Sequence, residues 1–200
     1  MELRTAEEVR LATAALATGS GEAIDRLVWS GVFAAPPLRD QARQAVFDQV
    51  QLTATQRQLL ESFTRQINVL CLAGAWCGDC MNQCPIHVHF ARASSRIDLR
   101  FLDRDEHANV QQELSINGGH RVPVIVFLSE DYREAARYGD RTLAQYRQLA
   151  RDQLGPSCPT GIVAPDKDLV AAVTQDWLDE FERVQLLLRL SPRLKQIHGD

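Results

Sequence analysis

Ala73-Gly-Ala-Trp-Cys-Gly-Asp-Cys-Met81 is the stretch that decides the fold of this 200-residue chain. It places Cys77 and Cys80 three positions apart, directly after an apolar run and directly before a predicted helix. A C-x-x-C in that setting indicates a redox motif. We expect Cys77 at the N-terminus of the helix, where unpaired backbone N–H groups and the helix dipole stabilise its thiolate. Cys80, one turn later, is placed to attack a mixed disulfide at Cys77. Thiol–disulfide exchange is the leading hypothesis.

The segments on either side of this stretch predict a β-α-β unit. Residues 67–72 form a short apolar run with β-branched members, typical of a strand that is buried on both faces. A helix is predicted from about residue 79 to 94, and Pro85 must kink it because proline lacks an N–H and crowds the preceding turn. Residues 97–102 then predict a second strand.

The pattern continues with further helices and strands up to residue 154. Residues 103–114 predict a helix, and 124–128 a third strand. A turn at 129–131 leads to an antiparallel return strand at 133–138, followed by a helix from 142 to about 154. The order predicts an α/β layer arrangement with a mixed sheet and flanking helices.

The remaining segments read as helical additions to that layer. Capping boxes open helices at Thr5 and Thr53, and residues 38–52 also show helical spacing. We therefore divide the chain into an N-terminal helical extension (1–54), a central domain (55–154), and a linker with a C-terminal helix (155–200). The extension shows no catalytic spacing, so we expect it to serve packing, a lid or a dimer surface.

The C-terminal helix, predicted from about residue 166 to 190, carries one apolar stripe. Its members recur at helical spacing and are Leu169, Val173, Trp177, Phe181, Val184 and Leu188. The stripe must be buried against this domain or against a second copy, so a homodimer through this helix is one expectation. We expect Ser191-Pro192 to end the helix.

Composition narrows the class of protein. The 45% apolar content is ordinary for a globular domain, and a net charge of -4 gives no electrostatic reason to expect nucleic acid as a partner. No apolar run approaches the roughly 18 residues that span a bilayer, and no secretory signal is visible. We therefore expect a cytoplasmic protein whose five cysteines are kept reduced, without a structural disulfide framework.

These motifs together resemble the thioredoxin family over residues 55–154. The match consists of Trp76-Cys77-Gly78-x-Cys80, of Pro85 five residues later, and of Val122-Pro123, whose proline lies forty-six residues after Cys77. The resemblance implies a thioredoxin-like α/β fold. Within the family, the Trp-Cys-Gly-Asp-Cys variant with helical extensions is similar to bacterial thioredoxin-like proteins whose substrates are generally unassigned.

The resemblance also implies roles for the motif residues. Cys77 would attack a disulfide and Cys80 would resolve it, while Trp76 and Pro123 shape the contact surface. A cis bond before Pro123 would leave the Val122 backbone free to pair with an extended substrate. The expected partners are a disulfide-bearing protein or small molecule and an electron-donating reductase or low-molecular-weight thiol, with no bound cofactor, in a role in cell redox homeostasis.

Two residues depart from the family pattern. Cys71 occupies the position of a buried aspartate thought to help deprotonate the resolving thiol, and a thiol of ordinary pKa is no general base. Asp79 replaces a proline, and we expect its carboxylate to raise the pKa of Cys77. Our hypothesis is that Asp79 makes the couple more reducing and relays protons.

Two alternatives remain open at the level of sequence. Cys80, Cys84 and His87 share one helix face, so a metal site with Cys77 as fourth ligand is possible. The fold can also serve as a binding or adaptor module without turnover. Otherwise we expect Cys84 to be a buried small hydrophobe and Cys158 an unreactive surface thiol. His120 is the histidine expected to flank the site.

Overall fold

The computed structural model describes residues 45–74, 76–154 and 169–200, with residues 45–49 helical. The expectations for residues 1–44 and 155–168, which include Cys158, lie outside the described residues. The elements in chain order are α1 (Ala54–Glu61), β1 (Ile67–Ala73), α2 (Gly78–Ala93), β2 (Ile97–Asp103), α3 (Ala108–Glu113), β3 (Val124–Leu128), β4 (Glu134–Gly139), α4 (Leu143–Leu154), α5 (Leu169–Leu190) and α6 (Pro192–His198).

The four strands form one mixed sheet in the order β2-β1-β3-β4. The β1 strand pairs parallel with β2, opposing Cys71 to Phe101, and antiparallel with β3, opposing Cys71 to Ile125. All residues of β1 and β3 are buried, as their unbroken apolar runs predict for strands covered on both faces. The predicted α/β layer with its mixed sheet and flanking helices is confirmed.

Local signals place several helix ends correctly. Thr53 caps α1 through the predicted box: the Gln56 N–H donates to Thr53 Oγ1 at 3.2 Å, and the Thr53 N–H donates to Gln56 Oε1 at 3.0 Å. The α2 helix runs from Gly78 to Ala93 with Pro85 inside it. The Ser191 hydroxyl caps a further short helix, α6, which the prediction missed because proline is also favoured in the first turn of a helix.

The helix predicted over residues 103–114 is wrong at its beginning. Strand β2 extends to Asp103, which pairs with Ala73 at the end of the parallel ladder. The chain then turns, because the Arg104 N–H donates to the Ala73 carbonyl at 2.9 Å and the Asp105 N–H to Asp103 Oδ1 at 2.7 Å. Only Ala108–Glu113 is helical. This turn brings residues 104 and 105 to the end of β1, beside the C-x-x-C motif.

The apolar stripe of α5 packs into this domain's own core. Val173, Trp177, Phe181, Val184 and Leu188 are buried, and Leu169 alone among the stripe residues is exposed. The Phe181 ring lies 5.3 Å from that of Phe90 on α2 and 4.9 Å from that of Phe127 on β3. The C-terminal helix therefore completes the hydrophobic core, while a homodimer stays a prediction.

A buried glutamine links α5 to the other elements of the core. Trp177 Nε1 donates to Gln83 Oε1 at 2.9 Å, and Gln83 Nε2 donates to the Asp140 carbonyl at 2.9 Å. One amide thus ties α5 to the C-x-x-C helix α2 and to the segment that follows β4. None of the helices in the part of the chain that the structure describes is long and apolar enough to cross a bilayer.

Candidate functional site: a dithiol at a helix N-terminus

The central strand β1 delivers the C-x-x-C motif to the start of α2. Cys77 is the N-cap residue of that helix, and its sulfur accepts a hydrogen bond from the Cys80 N–H at 3.4 Å. The Cys77 residue is 8% exposed, whereas Cys80 is fully buried. The Gly74 N–H points at the Cys80 sulfur at 3.5 Å. Of the two motif cysteines, only Cys77 therefore retains some exposed surface, and Cys80 lies behind it.

The Val122–Pro123 segment lies against the accessible thiol. The peptide bond between these residues is cis. Cys77 Sγ donates to the Val122 carbonyl at 3.3 Å, although 45 positions separate the two residues. Sequence reasoning expected a free Val122 backbone, and in the reduced protein its carbonyl is instead occupied by the thiol.

Trp76 forms the exposed rim of the site. It is 45% exposed, its Nε1 donates to Asp105 Oδ2 at 2.8 Å, and the Arg104 guanidinium lies 4.3 Å from the centre of its ring. A Cβ added to Gly74 would come within 2.9 Å of Trp76 Cε2, so the indole lies directly over that glycine. Sequence reasoning did not foresee these contacts, because nothing local connects residues 104 and 105 to Trp76.

Asp79 and Arg141 form a bidentate ion pair beside the motif. Arg141 Nη2 lies 2.6 Å from Asp79 Oδ2, and Arg141 Nε donates to Asp79 Oδ1 at 3.1 Å. The carboxylate therefore has a cationic partner, which the sequence did not reveal because the two residues are 62 positions apart. Gly78, which lies between Cys77 and Asp79 in the sequence, is exposed.

A second carboxylate, that of Asp140, is buried close to Arg141. It accepts hydrogen bonds from the Tyr146 hydroxyl and, at 3.1 Å, from Arg121 Nη1. Burial alone would raise the pKa of Asp140, but the hydrogen bonds from Tyr146 and Arg121 hold that pKa below its usual value. The preceding residue, Gly139, lies against the Pro123–Val124 backbone.

Gly139 leaves no room for a side chain. A Cβ at this position would lie 2.5 Å from the Pro123 carbonyl oxygen and 3.1 Å from the Val124 Cα. These are backbone atoms, so the contact is relieved only if a strand moves. The end of β4 thus backs directly onto the loop that faces Cys77.

The thiol pKa values differ from the expectation of a stabilised thiolate. The hydrogen-bonded Cys80 thiol and partial burial raise the pKa of Cys77 well above its usual range, although the backbone N–H groups of Cys80 and Asp79 oppose the increase. Burial likewise raises the pKa of Cys80. The helix terminus therefore acts in the predicted direction but is outweighed in the reduced dithiol. The Asp79 carboxylate, which we expected to raise the pKa of Cys77, is not among the main causes of that increase.

Two further cysteines lie behind the motif. Cys71 on β1 and Cys84 on the second turn of α2 are both buried, with their sulfurs 3.9 Å apart. Burial raises the pKa of Cys71, and the neighbouring Cys71 thiol, followed by burial, raises that of Cys84. The expectation that Cys84 is buried holds, but its close approach to Cys71 was not foreseen.

The geometry does not support the metal alternative. Among residues 45–74, 76–154 and 169–200, no three His, Cys, Asp or Glu side chains are gathered so that they could hold a metal ion. The His87 ring packs 4.3 Å from Trp177 and 6.0 Å from Phe181. His120 is exposed, and its backbone carbonyl accepts from Arg104 Nη1 at 2.8 Å.

A C-x-x-C at the start of the helix after a central strand, facing a proline at the start of the neighbouring strand, defines the class of thioredoxin-like domains. The family model described as "Thioredoxin" matches residues 36–151, which is more than half of the chain. The chain therefore belongs to the thioredoxin family. A comparison with curated proteins finds no match.

Solved structures resemble this chain at low sequence identity. One is a protein of unknown function from Pseudomonas aeruginosa, at 17% identity and a TM-score of 0.56, covering 78% of this chain and 87% of that one. An HIV epitope scaffold matches at 14% identity and a TM-score of 0.51, over 72% of this chain and 86% of its own. Thioredoxin f2 from Chlamydomonas reinhardtii has 15% identity and a TM-score of 0.34, covering 50% of this chain and 90% of that one. The first two of these likenesses show the fold alone.

Proposed function

We propose that this protein is a thiol–disulfide oxidoreductase that reduces disulfides in proteins or small molecules. The observation that carries the proposal is the placement of one partly accessible thiol, Cys77, at a helix N-cap with a buried partner, Cys80, one turn behind it. Family membership supports the proposal, since it supplies the fold on which this arrangement recurs. We place the activity in the cytoplasm, where thiols are kept reduced.

The reaction takes two exchange steps. The Cys77 thiolate attacks one sulfur of the substrate disulfide, forming a mixed disulfide and releasing the other sulfur as a thiolate. Cys80 then attacks Cys77 Sγ, which forms the Cys77–Cys80 disulfide and releases the second substrate thiol. A reductase or a low-molecular-weight thiol returns the two electrons, and the cycle needs no bound cofactor.

Loss of the Cys77 proton also prepares the substrate surface. The Cys77 thiol donates to the Val122 carbonyl at 3.3 Å, and a thiolate has no proton to donate. Deprotonation therefore frees that carbonyl for the N–H of an extended substrate segment, which would add to the site as a strand. Trp76 and Pro123 flank this position and supply apolar contact.

Insulin reduction with dithiothreitol as electron donor tests the proposal. Wild-type protein should accelerate the reduction, and Cys77→Ser should abolish the acceleration, because the attacking sulfur is gone. Cys158→Ser, which leaves all four described cysteines in place, is the matched control and should behave as wild type. A wild type that is inactive toward insulin and oxidised glutathione alike would contradict the proposal and favour an adaptor.

Trapping identifies the natural substrate. In Cys80→Ser the resolving thiol is absent, so the mixed disulfide at Cys77 persists and can be isolated from the native cell for mass spectrometry. The double variant Cys77→Ser/Cys80→Ser should trap nothing. Equal recovery of partners by the double variant would show that capture is not covalent exchange.

A further inference from the structure

We infer that Cys71 and Cys84 form a second, buried dithiol couple that exchanges its two electrons with the Cys77–Cys80 couple. This inference rests on the proposed function and extends it from one disulfide per reduced chain to two. It starts from the position of four sulfurs in one small part of the core, contributed by the end of β1 and the first two turns of α2.

The four thiols form a continuous series from the surface inward. The Cys77 and Cys80 side chains interact with each other, as do those of Cys80 and Cys84. The sulfurs of Cys84 and Cys71 are 3.9 Å apart. A disulfide bond is about 2.05 Å long, so the two sulfurs must approach each other by about 1.9 Å to form one.

The burial of Cys71 and Cys84 determines how this inner pair can be oxidised. Both Cys71 and Cys84 are enclosed by the core, so no substrate or small oxidant touches them directly. Cys77 is the one member of the series that is partly exposed. Exchange from sulfur to sulfur is therefore the route that connects the inner pair to substrate.

The exchange is balanced without any external reagent. Starting from the Cys77–Cys80 disulfide, the Cys84 thiolate attacks Cys80 Sγ, forming a Cys80–Cys84 bond and releasing Cys77 as a thiolate. The Cys71 thiolate then attacks Cys84 Sγ, forming the Cys71–Cys84 disulfide and releasing Cys80. The two protons given up by Cys71 and Cys84 end on Cys77 and Cys80.

The intermediate in this sequence is short-lived for a geometric reason. Residues four apart on a helix have Cβ atoms about 5–6 Å apart, wider than the roughly 3.5–4.5 Å of a relaxed disulfide. A Cys80–Cys84 bond is therefore strained and passes readily to Cys71. Pro85 lies in the same turn and lacks the backbone N–H that would otherwise brace it.

The consequence is a protein that stores four electrons. After the outer couple has reduced one substrate, the inner dithiol reduces the outer disulfide, and a second substrate is reduced before any external donor acts. In Cys71→Ala the inner dithiol is absent, so the Cys77–Cys80 couple reduces only one substrate disulfide per chain before an external donor acts.

Counting disulfides tests the inference, with all samples carrying Cys158→Ser so that the fifth thiol forms no pair. Fully reduced, donor-free protein is oxidised with excess oxidised glutathione, quenched with N-ethylmaleimide and weighed intact. We expect a loss of about 4 Da, two hydrogens for each of two disulfides, with Cys71–Cys84 identified by peptide mapping. Uptake of N-ethylmaleimide at Cys71 and Cys84, with only Cys77–Cys80 mapped as a disulfide, overturns the inference, whatever the stability of the variants.

The route is tested by Cys77→Ser under the same conditions. We expect formation of Cys71–Cys84 to slow at least tenfold, because its connection to the surface is cut. Equal rates in this variant and in wild type overturn the exchange route. Steady-state insulin reduction by wild type separates the two proposals. If the protein turns over but forms a single disulfide per chain, the proposed oxidoreductase activity stands and the inner couple is rejected. If the protein neither turns over nor forms the Cys77–Cys80 disulfide, both proposals are rejected.

Discussion

The Cys77 thiol is subject to opposing influences that decide its reactivity. Two backbone N–H groups at the start of α2 lower its pKa, while the Cys80 thiol and partial burial raise that pKa by a larger amount. The reduced pair is therefore a dithiol at neutral pH. Since only the thiolate attacks a disulfide, reactivity follows the small ionised fraction.

We predict a specific pH profile for Cys77. Because its pKa is raised, the rate of its alkylation by iodoacetamide should increase about tenfold per pH unit from pH 6 to 9 without a plateau. Cys80→Ala removes the largest cause of the raised pKa, so alkylation of this variant should be faster than that of wild type throughout that range. The measurement is alkylation followed by mass spectrometry, and a wild-type plateau near pH 7 would contradict the assignment.

At the residue scale, local motifs foretold more than distant partners did. Cys77 and Cys80 stand out because their short spacing marks them, and Trp76 and Pro123 were predicted from the resemblance to the thioredoxin family. Arg141 does not, since its ion pair with Asp79 depends on how the segment after β4 lies against α2. The hypothesis that Asp79 makes the Cys77–Cys80 couple more reducing stays a prediction. The ion pair matters for it, because the positive charge of Arg141 offsets part of the negative charge of the Asp79 carboxylate.

The helix α5 works as a core element with two different faces. Its Phe181 contacts rings from both α2 and β3, whereas Leu187 on the same helix is 40% exposed. The sequence predicted the apolar stripe from its period but left open what would bury it. Periodicity shows which face is apolar, and tertiary packing decides which surface meets it.

Two substitutions in α5 should therefore have unequal effects. Phe181→Ala leaves a cavity between three elements and should lower the free energy of unfolding by about 3–5 kcal/mol. Leu187→Ala, the matched control, should change it by no more than about 0.5 kcal/mol. Urea denaturation followed by circular dichroism measures both. Similar losses in the two variants would mean that α5 does not pack as described.

Element boundaries failed where tertiary hydrogen bonds override local pattern. The β2 ladder holds Asp103 in the sheet, and a turn sealed by the Ala73 carbonyl delays α3 until Ala108. A sequence pattern carries no information on that carbonyl. The same turn brings Arg104 and Asp105 to Trp76, so the missed boundary also hid part of the site.

At the scale of the whole molecule, the buried His87 couples folding to pH. Within the described part of the chain, neither of its ring nitrogens has a hydrogen-bond partner. Burial lowers the pKa of His87 from 6.5 to about 3. Unfolding exposes the ring and restores an ordinary pKa, so below pH 6.5 the unfolded state binds a proton that the folded state does not. Stability is therefore lost as the pH falls through this window.

His87→Leu should remove this source of acid sensitivity. Between pH 7 and pH 5, wild type should lose about 2 kcal/mol more unfolding free energy than the variant. At pH 8 the substitution should be neutral or stabilising, because it removes buried polar atoms that lack partners. Urea denaturation at several pH values measures the difference, and parallel pH profiles of the two proteins would contradict it.

Glycine at position 139 has a consequence for how this protein can change over time. Any larger residue there would push against the Pro123 carbonyl oxygen, 2.5 Å from where its Cβ would stand, and so displace the loop opposite Cys77. In a survey of random variants selected for turnover, this position should tolerate change as poorly as the reactive thiols do. Gly139 contributes by having no side chain. The position of the loop opposite Cys77 therefore depends on a residue that does not itself contact a substrate.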